Sequence, residues 1–142
     1  KKAKARRIEK RTVFIFRDNE KVAIRKRPQK GLLAGMYEFP NVEGHLRTEE
    51  VIGYAQTAGL TPVRVKRIGT AKHIFSHVEW HMKGYLIELS PTGKQPELIF
   101  ASLEEVEDTY SLPTAFRTYR EKMRKILNKQ KEGGVSEKKG VL

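Results

Sequence analysis

Phe75, Ser76 and His77 stand together inside Thr70–Leu89 (TAKHIFSHVEWHMKGYLIEL), a stretch that also holds His73, His81 and the single tryptophan, Trp80. A serine hydroxyl both donates and accepts hydrogen bonds, and a neutral imidazole does each through a different nitrogen. Ser76 and His77 therefore have the chemistry to read a polar edge. Phe75 offers a wedge, although a phenylalanine between apolar neighbours serves equally well as core. His73, His77 and His81 recur every fourth residue, the spacing of a zinc-binding face on a helix. Ile74, Val78, Tyr85 and Ile87 around them favour strand instead, and no carboxylate completes the set. Zinc is the minor reading. Arg64, Lys66, Lys72, Lys30 and the backbone of Gly31 are candidate phosphate contacts. Taken singly, each basic residue is ordinary solvated surface; crowding near the Phe-Ser-His and Gly31 loops is what marks them.

The elements that must hold these groups follow from pattern. Val13–Phe16 and Val22–Arg27 read as strands joined by a turn at Asp18-Asn19-Glu20. Pro28–Gly35 (PQKGLLAG) is a loop, and Met36–Phe39 returns to strand before Pro40. Thr48 is the expected N-cap of a helix that ends at Gly59. Thr61–Ile68 and the two halves of the focal stretch are strands, with Ser76-His77 at a bend and Gly84 marking a bulge or a close approach. Pro91–Lys94 turns the chain into Leu98–Phe100, and Ser102-Leu103-Glu104-Glu105 has capping-box spacing. From Pro113, an apolar stripe of Phe116, Tyr119, Met123, Ile126 and Leu127 defines a last helix. From Lys131 the chain reads as a loose tail.

Composition sets the partner class. A net charge of +12 attracts polyanions, nucleic acid or an anionic membrane surface. The chain has no cysteine, which excludes disulfides, thiolate metal sites and a cysteine nucleophile. No apolar run reaches the roughly 20 residues that span a bilayer, so the expected address is cytoplasmic, beside the bacterial nucleoid.

The order of strands, a loop ending in Glu-Phe-Pro and a helix closing on Gly59-Leu60 resembles the Nudix fold, an α+β mixed β-sheet flanked by helices. Aligning the Nudix box on Gly59-Leu60 puts Ile52-Gly53 and Gln56-Thr57 where that family carries Arg-Glu and two glutamates for divalent metal. A metal-dependent diphosphate hydrolase is therefore disfavoured. RPQKGLLAGMYEFPN (Arg27–Asn41), KHIFSHVEWHMKGYLI (Lys72–Ile87) and YSLPTAFRTY (Tyr110–Tyr119) resemble the C-terminal domain of A/G-specific adenine DNA glycosylases, the MutY family. That resemblance implies a non-catalytic domain that recognises 8-oxoguanine opposite adenine through Phe75, Ser76 and His77. It implies double-stranded DNA carrying that mispair as partner, together with a catalytic domain of the same polypeptide that excises adenine. The iron–sulfur cluster of the family belongs to that other domain; no cofactor is expected here. The expected division is 1–10 as interdomain linker or basic arm, 11–128 as the lesion-recognition domain and 129–142 as flexible tail, in a monomer. The alternatives are a Nudix-type hydrolase of modified nucleotides with unconventional metal ligands, and a basic nucleic-acid-binding domain without lesion preference.

Overall fold

A computed structural model describes residues 5–91 and 95–141. Its centre is a parallel pair, β1 (Arg7–Asp18) and β6 (Val78–Leu89), in register from Arg7↔Val78 to Arg17↔Glu88. β5 (Pro62–Ile74) runs antiparallel to β6 and forms one edge of the sheet. On the other side, β2 (Lys21–Lys26) and β4 (Asn41–Glu43) pair with β1, while β3 (Tyr37–Glu38) and β7 (Ile99–Ser102) pair with β2.

Strand alternation builds two cores from one sheet. Val13 and Ile15 point to one face and Phe14 and Phe16 to the other, all of them buried. α1 (Thr48–Thr57) packs Val51 and Ala55 on the Phe14–Phe16 face, where Tyr54 stacks on Phe14 with ring centroids 4.7 Å apart. α2 (Arg117–Val141) brings Tyr119, Met123 and Leu127 to the opposite face. The result is the expected α+β architecture, a mixed sheet between helices.

Several local expectations change. Thr48 is the first helical residue of α1, not its cap; Arg47 precedes the helix, and Glu50 reaches back to accept the Arg47 N–H at 2.8 Å. A side-chain acceptor three residues on satisfies that donor as well as a threonine cap would. Ser102 and Glu105 do form the reciprocal box, at 2.9 and 3.2 Å, and open a short π-helical turn at Glu105–Tyr110. Gly84 lies opposite Gly69, and the register shift falls in β5 between Arg67 and Gly69, so Gly84 is a point of close approach and not itself the bulge.

The expected boundaries also move. Arg7–Lys10 are the first residues of β1, not linker, and the Arg7 N–H donates to the His77 carbonyl at 3.2 Å. Pairing with β6 holds this basic segment, and Glu9 accepts from both Arg7 and Arg11, so sheet hydrogen bonds replace the apolar content it lacks. α2 continues to Val141 where a tail was expected from 129. Lysine and glutamate are strong helix formers, and each glycine costs only about 1 kcal/mol, so backbone propensity extends the helix past its apolar stripe. The turn expected at Pro91–Lys94 lies, from Thr92 on, outside the described residues.

Candidate nucleic-acid interface

β5 and β6 form a long hairpin whose end is Phe75-Ser76-His77, closed by the Phe75 N–H donating to the Val78 carbonyl at 2.8 Å. Ser76 and His77 are exposed, and neither side chain makes a hydrogen bond or ion pair among the described residues. Phe75 is half-buried. Its ring meets the edge of Trp80 at 5.1 Å and of His73 at 4.7 Å. The tip thus has an apolar root and a polar crown, and Phe75 belongs more to the root.

Trp80 is the seat of that root. It is only 1% exposed, contacts Phe116 at 5.9 Å, and carries the guanidinium groups of Arg11 and Arg27 at 5.2 and 5.6 Å from its ring centroid. Cations over an indole face are attracted by its quadrupole, by about 0.5–2 kcal/mol according to desolvation. Its Nε1 is buried and lacks a hydrogen-bond partner among the described residues, so ring contacts hold it. Two arginines so close together need counter-charge. Glu38, 2% exposed, accepts from Arg27 at 2.6 Å, Arg25 at 3.0 Å and Asn41 at 2.8 Å. Arg11 donates to Asn41 Oδ1 at 2.7 Å.

The same arginine reaches the second loop. Arg27 Nε donates to the Leu32 carbonyl at 2.9 Å, and Leu33, in the left-handed region at φ 56°, packs against the core that Phe75 also joins. Leu33 is therefore the folded-back leucine, while Leu32 remains 36% exposed. Gly31 has φ 90°, and a Cβ there would meet nothing within 4 Å, so its positive φ requires glycine while the space beside it stays open. Lys30 is exposed in this loop. Trp80 and Arg27 thereby link Lys30–Gly31 to Phe75–His77 at one end of the sheet. Sequence reading missed Arg27, Arg11 and Glu38 as the joint. The available signal was an acidic residue in a strand end facing a run of basic ones.

The remaining candidates are not crowded near these loops, which corrects that expectation. Lys72 lies across from His81 on the face opposite Trp80, and its ammonium is 3.6 Å from Glu79. Glu79 also meets His81 Nε2 at 2.7 Å and Arg6 at 3.5 Å; the His81 bond, then Lys72 and Arg6, hold its carboxyl below the ordinary range. Arg64 and Lys66 sit at the far end of β5, opposite Glu88 and Leu86, on the α2 side. Strand alternation and the bulge at Gly69 separate them from Lys72. His73, His77 and His81 fall on two strands and a turn, and no three metal-ligating side chains gather among the described residues. α1 carries Gly53, Gln56 and Thr57 at the positions of metal-binding carboxylates, and Glu50 is engaged with Arg47. These residues do not fit a divalent ion poised for diphosphate hydrolysis.

A model of the NUDIX domain family matches residues 12–122, and the chain belongs to that family. Among solved structures it is similar to the C-terminal domain of mouse MUTYH, in complex with human PCNA, at 22% identity and a TM-score of 0.65, covering 82% of this chain and 87% of that one. MutT from Methanosarcina mazei aligns at 15% identity and a TM-score of 0.64, covering 87% of this chain and 97% of that one. The MutT NUDIX hydrolase of Burkholderia pseudomallei gives 16% and 0.64, covering 81% and 97%. At these identities the likeness is one of fold. No helix among the described residues is long and apolar enough to cross a membrane.

Proposed function

We propose that this chain is the lesion-recognition domain of an adenine DNA glycosylase, with Phe75-Ser76-His77 reading 8-oxoguanine opposite adenine. The observation that carries the reading is the hairpin tip: two unpaired polar side chains on a root fixed by Trp80, on a NUDIX scaffold without its metal carboxylates. The lesion differs from guanine at C8, which gains an oxygen, and at N7, which donates where guanine accepts. Ser76 has the donor and acceptor capacity to sense that exchange, and His77 can donate to a phosphate or a base edge. Lys72, with Lys30 and the Gly31 backbone, lies at the same end and supplies backbone contacts that position without reading sequence. Adenine excision belongs, in this reading, to a separate catalytic domain that carries the iron–sulfur cluster, and the protein works as a monomer on nucleoid DNA.

The test compares duplexes containing 8-oxoguanine or guanine opposite adenine. Their affinities are measured for this chain, and their single-turnover excision for the chain joined to a glycosylase domain. A well-placed contact is worth about 1–3 kcal/mol of discrimination; Ser76→Ala keeps the backbone groups and should cost near the lower figure. Replacing Phe75, Ser76 and His77 together by alanine should collapse the preference between mispairs, with a smaller effect on cleavage of bound substrate. An unchanged ratio in a folded triple variant rejects the tip as reader. Release of pyrophosphate from an oxidised nucleoside triphosphate with magnesium would instead establish the hydrolase alternative.

A further inference from the structure

At the end of β5 remote from the tip, a recess of about 440 Å³ is lined by Arg17, Arg64, Lys66, Leu86, Glu88, Ile126 and Lys129. Its charges are unequal: four cations surround one carboxylate. Arg17 is already committed, its Nε donating to the Asn19 carbonyl at 2.9 Å and its Nη1 lying 3.9 Å from Glu88. Arg64, Lys66 and Lys129 make no ion pair or side-chain hydrogen bond among the described residues. Cations gathered in one concavity without counter-charge repel each other, and an anion seated between them relieves that repulsion.

Position identifies the anion. Phe75 and Arg64 are eleven residues apart along the edge strand. At about 3.3 Å per residue, less the shortening at its bulges, that is about 30 Å, close to one turn of B-DNA at about 34 Å. Between them on the α2 side lies Lys122, whose ammonium would be 3.4 Å from a Cβ built on Gly69. Tip, Lys122 and recess therefore form a basic line along the free edge of the sheet.

We infer that the recess is a second phosphate site, taking the backbone of the duplex held at the tip roughly one helical turn from the lesion. Arg64 and Lys66 contact that backbone, with Lys129 closing the site from α2. This rests on the reading that the tip meets duplex DNA.

The experiment uses this chain, its Arg64→Gln/Lys66→Gln variant and the triple-alanine tip variant. Each is titrated with 8-oxoguanine:adenine and guanine:adenine duplexes of about 12 base pairs, which end short of the recess, and of about 30, which pass it. Both exchanged residues are exposed, so folding should persist, and a thermal scan checks it. For the long duplex, the recess variant should lower the slope of log affinity against log salt by about 2 units, near 0.9 per phosphate released. For the short duplex the slope should not change. Equal loss on both lengths overturns the one-turn span, and no loss on either overturns the site. Competition by pyrophosphate with both duplexes unaffected by the variant makes the recess a small-anion site and also overturns the proposal. If the tip variant keeps its lesion ratio while the recess variant shows the length-dependent loss, lesion reading by the tip fails and the recess stands.

Discussion

Gly84 shows how closely single residues are specified here. A Cβ at this position would lie 2.2 Å from the Tyr119 ring, whose hydroxyl donates to the Gly69 carbonyl at 3.0 Å. Burial pushes that hydroxyl well above the ordinary tyrosine range, so it remains a donor throughout the working pH range. Gly84→Ala should cost about 1–3 kcal/mol through overpacking, read from denaturant midpoints at constant m value. Combining it with Tyr119→Leu should cost less than the sum of the single changes, because both act on one contact. Full additivity would show that the clash is absorbed elsewhere. The glycine was legible in the sequence as a close approach; its partner, 35 residues later, was not, because nothing local records which ring crosses which strand.

Among the elements, the joint between the tip hairpin and the 28–35 loop matters most. Glu38 is its anion, and removing one partner of a buried ion pair leaves the other charges uncompensated, typically at about 3–5 kcal/mol. Glu38→Ala should therefore destabilise the chain by that order. Hydrogen exchange should rise first at Gly31–Gly35, whose Leu32 carbonyl loses its anchored arginine. Exchange that rises uniformly would deny the joint a local role. The Ser102–Glu105 box gives a pH signature. Its backbone and side-chain hydrogen bonds hold the Glu105 carboxyl below the ordinary range. A depressed carboxylate contributes above its unfolded value, near 4.5, and loses that contribution as pH falls through its folded value. Stability curves of wild type and Glu105→Gln should thus separate above about pH 4.5 and converge in acid. Strand order, the hairpin tip and the capping box could be read from alternation and spacing. The joint could not, since it depends on three arginines meeting one glutamate across separate strands. Nor could the two faces on which Lys72 and Arg64 part company, because a bulge reverses the parity that alternation would have predicted.

For the whole molecule, β1 and β6 serve both cores at once, Val13 and Ile15 facing one and Phe14 and Phe16 the other. Neither core can empty while the other stays intact, so heating should give a single cooperative transition with matching calorimetric and van't Hoff enthalpies. A dye-binding state at neutral pH, compact but without fixed packing, would contradict this. The parallel pairing has a further consequence, for the timing of folding. Arg7 finds its partner Val78 across 71 positions of chain, 78 minus 7, whereas the β5–β6 hairpin joins neighbours. Long loops must close before such pairing is rewarded, and chains dominated by distant pairs fold in milliseconds to seconds, against about 1–10 μs for a hairpin. The Phe-Ser-His tip can therefore take shape early, yet it gains its seat only when the first strand of the chain arrives. During synthesis that strand emerges first and waits for β6, exposing Val13-Phe14-Ile15-Phe16 as an unpaired apolar segment until nearly two thirds of the chain has been made.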